Sequence, residues 1–328
     1  MKKLLFLSFL FLCLFPGDCL AQPREGHLIT PDKVKIFYKV VGSGSEVVIA
    51  VHGGPGNTMH SILADLEPLA RNRTIVYYDQ RGNGGSDLIR DQDKLSISKH
   101  ISDLEAVRTY FKLDKVTLLG NSWGGMLISF YAAAHPDRVE RLILHNPGEP
   151  SRELLFAAVD ETQARIRSRY NEEQRKRWAF VSNPQTWLDA KDPRAICREF
   201  FTMILPTFVV REESISRFKG DVCAGPEAAV RQQQFVNMQV WRSLGDFNVQ
   251  PSLARVKAPV LIIHGVADPI PVKSSEAWAT GFPNARLLLI KEAGHLSHVE
   301  TPEIFFPAVE TFLKGEFPAQ AKIVRRPN

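Results

Sequence analysis

The sequence predicts an α/β protein, a mostly parallel sheet flanked by helices, with a helical cap inserted into it. Three observations carry that expectation. Short β-rich runs, apolar on both faces, alternate with stretches of helical periodicity, as buried parallel strands and their crossover helices do. The alternation stops between about Pro147 and Val249, where amphipathic stretches rich in Arg, Glu and Gln take over. It then resumes at APVLIIHG (258–265), so the insertion interrupts one core.

In chain order, VKIFYKVVG (34–42) reads as an edge hairpin strand and EVVIAVHGG (46–54) as a buried strand, joined at Gly42-Ser-Gly-Ser45. A helical stretch follows near Ser61 to Ala70, then the strand TIVYYD ending at Asp79. Ile97 to Phe111 carries apolar positions at helical spacing. The strand KVTLLG, a helix from Gly124 to His135 and the strand RLILHN complete the first part of the core. Within the insertion, LLFAAVDETQARIRSRY and PRAICREFFTMIL are the clearest helical stretches. Beyond it come APVLIIHG, a helix from Ser274 to Thr280, the strand ARLLLIKEA and a final helix from Pro302 to Leu313. The expected division is therefore a first core segment over 22–146, a cap over 147–249, a second core segment over 250–317 and a flexible tail over 318–328.

Residues 1–21 stand apart. Lys2 and Lys3 precede the apolar run Leu4 to Phe15, and Cys19-Leu20-Ala21 closes the segment with small residues where a leader is cut. The run is shorter than the roughly 20 residues of a membrane span. A signal peptide cleaved after Ala21, and export to a periplasmic or secreted location, is the expectation. Lipidation at Cys19 is the alternative, disfavoured by Asp18. Such a leader would take Cys13 and Cys19 with it, leaving Cys197 and Cys223 to pair in an oxidising compartment or to remain as buried thiols.

The chain has 328 residues, 44% apolar and 23% charged, which suits a folded domain. Its net charge of +5 is not gathered into a block, and no basic stripe is interleaved with aromatics. A nucleic-acid surface is therefore not expected. The expected partner is a small-molecule or short-peptide substrate.

The chemistry begins at Gly120-Asn-Ser-Trp-Gly124, a G-x-S-x-G pattern lying directly between a strand and a helix. There a serine sits on a strained turn that lifts its hydroxyl above the sheet, and glycines two residues either side let strand and helix cross. Ser122 is the candidate nucleophile. A serine hydroxyl needs a base, and the base needs an orienting acid. In a sheet of this kind both belong in loops after later strands. Asp268 follows VLIIHG and His295 follows ARLLLIKEA, in the order Ser…Asp…His. His298 is the alternative base, and Glu149, after the preceding strand, is the alternative acid. Asp268 could instead cap the helix at Ser274. For the oxyanion, the candidate donors are the backbone N–H of Trp123 and that of Gly54 in His52-Gly-Gly-Pro-Gly56, with Gly53 second to Gly54. His52 has no partner ligands at metal spacing and reads as a loop-shaping residue. The loop Asp79-Gln-Arg-Gly-Asn-Gly-Gly-Ser86 fails the register of a nucleotide-binding turn. A pairing of Asp79 with Arg81 that braces this loop is expected instead.

At these residues the chain resembles the α/β-hydrolases, and within them the proline iminopeptidase group of serine peptidases. HGGPG at His52 to Gly56, DQRGNGGS at Asp79 to Ser86 and GNSWGG at Gly120 to Gly125 match that group's motifs. The resemblance implies release of an N-terminal residue, often proline, from short peptides, with no metal or cofactor. It also implies acidic cap residues for the substrate's ammonium, near a Trp-Glu pair. Here Trp241 is followed by Arg242, Pro269 rather than an acid follows Asp268, and Glu212, Glu213 and Glu227 remain as cap candidates. A proline iminopeptidase-like exopeptidase leads; a small-molecule esterase or amidase follows, and a non-catalytic ligand-binding use of the fold comes third.

Overall fold

The computed structural model describes residues 24–325; the proposed leader at 1–21 lies outside them. Eight strands form one sheet: β1 (Glu25–Ile29), β2 (Lys35–Val41), β3 (Val47–Val51), β4 (Thr74–Tyr78), β5 (Val116–Asn121), β6 (Val139–His145), β7 (Val260–Gly265) and β8 (Ala285–Ile290). Their order is β1-β2-β4-β3-β5-β6-β7-β8. The β1/β2 and β2/β4 pairs are antiparallel, and every pair from β4/β3 to β7/β8 is parallel. All residues of β5 and β7 are buried, as their largely apolar sequences require in a sheet covered on both faces.

Among the described residues the α-helices are α1 (Leu63–Leu66), α2 (Ile97–Tyr110), α3 (Trp123–Ala134), α4 (Arg152–Arg169), α5 (Glu172–Val181), α6 (Pro184–Asp189), α7 (Pro193–Ile204), α8 (Glu227–Leu244), α9 (Gln250–Leu253), α10 (Val272–Gly281), α11 (Ser297–Glu300) and α12 (Pro302–Leu313). One core layer joins the sheet to α2, α3 and α10 through Leu104, Met126 and Trp278. The other joins it to α1 and α12 through Leu66, Phe305 and Phe312. Between β6 and β7 the chain lays down α4 to α8, with small apolar clusters of their own around Trp178 and Trp187. A bridge between Ser151 and Asn248 closes the base of this insertion. Helix α8 ties it to the main core, because Val236, Val240 and Leu244 pack in the same cluster as the sheet.

The topology itself locates a crevice. From β3 the chain crosses to β4 on one side and then returns to β5 on the other. Loops leaving the carboxyl ends of β3 and β5 therefore diverge and leave a gap between them.

Two local expectations are corrected. VKIFYKVVG is not an edge strand: β1, too short and too mixed to stand out, pairs outside it. The tail is not free over its described part. Lys322 exchanges both backbone hydrogen bonds with Leu287, at 2.8 and 2.9 Å, and Ala321 is buried. A single bridged residue carries no periodicity, so no sequence pattern marks it.

Candidate active site

Ser122 stands where β5 gives way to α3, with φ 54° and ψ −121°. That backbone is costly for a residue with a side chain and persists only where the surroundings impose it. They do so here by crowding. A Cβ on Gly120 would come within 2.3 Å of the Gly124 carbonyl, and one on Gly124 within 2.1 Å of the Val51 carbonyl of β3. The Ser122 N–H donates to the His145 carbonyl at 2.9 Å, and the Ser122 carbonyl accepts from Gly125 and Gly148, both at 3.0 Å. The turn is thus anchored to β6 and the segment after it, while the hydroxyl borders a cavity of about 350 Å³.

His295 borders the same cavity. Its Nδ1 lies 2.7 Å from Asp268 Oδ2. Asp268 follows β7, and its other oxygen accepts the Ile270 N–H at 2.8 Å; it caps no helix, since α10 begins only at Val272. Burial would raise the Asp268 carboxyl, but the facing His295 and the Ile270 N–H hold it below its ordinary value. Burial would likewise lower His295, yet the charge and hydrogen bond of Asp268 hold it above 6.5, with Glu149 adding to the effect. Among the described residues Ser122 Oγ makes no hydrogen bond, so the serine and the imidazole share the cavity wall without being joined.

The alternatives fall elsewhere. His298 also reaches the cavity wall, but neither ring nitrogen has a hydrogen-bond partner, and burial lowers it to about 3. Glu149 is buried on the cavity wall, where burial and then the Asp268 charge push it up to about 7. It makes no hydrogen bond to His295.

The glycine-rich loop after β3 faces Ser122. A Cβ on Gly53 would lie 3.3 Å from the Ser122 Cβ, and Gly54 has φ 119°, open to glycine. Among the described residues the Gly54 N–H donates to no protein acceptor. Trp123 is the first residue of α3, so its N–H has no carbonyl one turn back. His52 shapes this loop: Nδ1 meets the Gly53 carbonyl at 2.8 Å, and Nε2 accepts the Gln80 N–H at 3.2 Å. Burial lowers it to about 4, keeping it neutral.

Asp79 and Arg81 do not pair, contrary to expectation. Asp79 accepts the N–H groups of Met59 at 2.7 Å and Gly85 at 2.8 Å, closing its loop through the backbone. Arg81 turns away and binds Asp103 and Asp32. The residue between them does what the motifs alone do not reveal. Gln80 Oε1 accepts the Trp123 indole N–H at 2.9 Å, and Gln80 Nε2 donates to the His52 carbonyl at 3.0 Å. One side chain thereby links the three glycine-rich segments.

Three further residues escape sequence reasoning. Asn146, one past β6 with φ 43°, donates to Asp268 Oδ2 at 2.6 Å and accepts from Ser297 at 2.8 Å. An Asn, a residue that tolerates left-handed backbone, directly after an apolar strand is the available signal. From the insertion, Arg165 of α4 donates to the Ala267 carbonyl at 2.7 Å and the Asp268 carbonyl at 3.2 Å. The Phe208 carbonyl accepts the His295 N–H at 2.6 Å. No periodicity announces either contact.

The rest of the cavity wall is largely apolar and comes from the insertion, including Leu155, Phe200, Phe201, Phe208 and Trp241. The cap carboxylates expected to meet a substrate are elsewhere. Glu212, Glu213 and Glu227 are exposed and off the cavity, Glu212 pairing with Arg169 and Glu227 with Arg231. Arg242 is exposed too. No group of acidic, His or Cys side chains among the described residues is arranged to hold a metal. No described helix is long and apolar enough to cross a membrane.

The chain is 24% identical over 306 residues to a proline iminopeptidase of Heyndrickxia coagulans, a match covering 89% of this chain and 99% of the relative. A proline iminopeptidase of Lactobacillus helveticus is 27% identical over 294 residues, covering 84% and 93%. Among solved structures, the proline iminopeptidase of Mycobacterium smegmatis superposes with TM-score 0.62 at 24% identity, covering 89% and 98%. An esterase from Exiguobacterium antarcticum superposes with TM-score 0.64 at 23% identity, covering 88% and 98%. These two likenesses establish a shared fold. Residues 46–302 match the model of the alpha/beta hydrolase fold family, and the chain belongs to that family.

Proposed function

We propose that the protein is a serine hydrolase that cleaves an amide or ester through an acyl-enzyme, and that it acts as a proline iminopeptidase-like exopeptidase. The observation that carries the reading is the His295–Asp268 contact of 2.7 Å on the wall of the cavity bordered by the strained Ser122. In this reading Ser122 Oγ attacks the substrate carbonyl and His295 takes its proton. Asp268 holds the imidazole by its Nδ1 and stabilises the imidazolium. The N–H groups of Gly54 and Trp123 receive the developing oxyanion, and preorganised donors of this kind are worth about 3–4 kcal/mol each. His295 then returns the proton to the leaving amine or alcohol, and water releases the acyl group by the same route. The curated relatives favour an N-terminal residue as the acyl part.

A carboxylesterase or amidase is the second reading. It is favoured by the exposure of Glu212, Glu213 and Glu227 away from the cavity, which removes the expected cap ligands for a peptide ammonium. We also propose export, because the leader-like residues 1–21 are joined by a Cys197–Cys223 disulfide, a bond that persists in oxidising compartments.

Covalent labelling by a fluorophosphonate probe, lost in Ser122→Ala, is the expected result; an unlabelled wild type would sink the serine mechanism. Hydrolysis of proline p-nitroanilide beside p-nitrophenyl acetate then separates the readings. Ester cleavage alone would make the protein an esterase.

A further inference from the structure

Among the described residues one carboxylate, Glu149, stands on the cavity wall, and no Lys or Arg side chain does. Its place is fixed by its neighbour. The Gly148 N–H donates to the Ser122 carbonyl at 3.0 Å, and the Gly148 carbonyl accepts the Trp278 indole N–H at 2.6 Å. Position 149 is thereby pinned beside the nucleophile turn. Glu149 is 3% exposed, and apart from its own backbone N–H no described group donates to its carboxylate. It feels the charge of Asp268, and its own charge acts on His295.

A buried carboxylate without a partner is expensive when ionised, and buried acids in folded proteins are normally paired. Other polar cavity residues, such as Asn57, Gln163 and Gln233, are neutral amides. The cavity wall thus offers one carboxyl and no Lys or Arg to pair with it, on the segment anchored to the Ser122 turn. A ligand bringing its own cation would complete the pair. The aromatic walls, with Trp241, Phe200 and Phe208, would cover its apolar part and favour an ammonium over their faces.

We propose that Glu149, and not Glu212, Glu213 or Glu227, is the carboxylate that recognises a positively charged amine on the substrate, selecting compact apolar acyl groups with a free ammonium close to the scissile carbonyl. The proposal rests on the hydrolase reading for its setting and names the specificity determinant of that site. A substrate carboxylate near the scissile bond would meet Glu149 unpaired and be rejected.

The test is calorimetric binding of phenethylamine and of its neutral counterpart 2-phenylethanol, to wild type, Glu149→Gln and Glu149→Asp, each checked by thermal melting. A charge-assisted hydrogen bond of about 1.5–3 kcal/mol corresponds to a preference for the amine of about ten- to a hundredfold. Wild type should show that preference, Glu149→Gln should lose it, and Glu149→Asp should keep part of it. Equal binding of amine and alcohol by wild type, no amine binding at millimolar concentration, or an undiminished preference in Glu149→Gln would overturn the proposal. Turnover of proline p-nitroanilide by wild type is scored separately. Amine selectivity through Glu149 without that turnover supports this assignment and removes the exopeptidase reading alone. Turnover with an undiminished amine preference in Glu149→Gln does the reverse.

Discussion

Asn146 Nδ2 and His295 Nδ1 meet the same oxygen of Asp268, at 2.6 and 2.7 Å. The Asn146 amide is itself held: its nitrogen also donates to the Gly294 carbonyl at 3.1 Å, and its oxygen accepts from Ser297. Asn146 therefore positions the acid from β6 while tying it to the loop that carries His295. Removing a donor to a buried carboxylate costs about 1.5–3 kcal/mol. Asn146→Ala should lower kcat/KM by about one to two powers of ten. It should also move the pH midpoint of activity upward, because the Asp268 charge is no longer shared and holds the imidazolium more strongly. Lost activity with an unmoved midpoint would reduce Asn146 to a packing role.

The pH profile follows from His295. In the proposed mechanism the base must be neutral to take the proton of Ser122, so activity should rise as pH passes upward through the His295 pKa. That pKa is raised above 6.5 by Asp268 against the opposing effect of burial. The kcat/KM of p-nitrophenyl acetate hydrolysis should accordingly climb with a midpoint above 6.5. In Asp268→Asn burial is opposed only by the weaker effect of Glu149, so the midpoint should drop, and activity should fall by about 10⁴-fold as the imidazole loses its orienting charge. A midpoint unchanged by the substitution would show that another group titrates, with Glu149 the first to examine.

What the sequence made legible follows physical range. Strands such as VLIIHG are buried on both faces and announce themselves without any neighbour. Gly120 and Gly124 are required by a crossing only a few residues long, so local sequence contains the whole reason for them. Asp268 and His295 were placed by strand order alone, and the structure brings their side chains together. Contacts between segments far apart in sequence were not legible. Gln80 holds His52 and Trp123, 28 and 43 residues away. Arg165 reaches Asp268 from 103 residues away. Asp79 and Arg81 misled because neighbours in sequence were expected to meet, whereas the chain between them sends the two side chains to different partners. The cap carboxylates looked available because exposure and orientation on a helix cannot be judged without the surface it packs against.

Arg81 carries a prediction about stability. Its side chain is fully buried and forms a two-pronged contact with Asp103, with Asp32 and the Lys94 carbonyl taking its remaining donors. Removing one partner of a buried pair leaves a charge in a medium that solvates it poorly, at about 3–5 kcal/mol. Asp103→Ala should lose that much stability in urea unfolding, while Asp32→Ala, a residue more exposed than Asp103, should lose about 1 kcal/mol or less. Equal losses from the two would mean that Asp103 does not neutralise the buried guanidinium.

The disulfide sets the last expectation. Cys197 lies in α7, whose Phe200 and Phe201 form part of the cavity wall, and Cys223 follows Val222, which is also on that wall. The bond closes a loop with a sequence separation of 26, for which chain entropy gives about 3 kcal/mol of stabilisation. Both sulfurs lie in a small apolar cluster with Trp187 and Val230, separate from the sheet core. Breaking the bond should therefore loosen the insertion before it unfolds the sheet. The double variant Cys197→Ser/Cys223→Ser should melt at lower temperature and show a raised KM with a smaller change in kcat, since Ser122, His295 and Asp268 stand in segments that follow core strands. A fall confined to kcat would place the effect of the bond at the nucleophile and contradict this division of labour between wall and machinery.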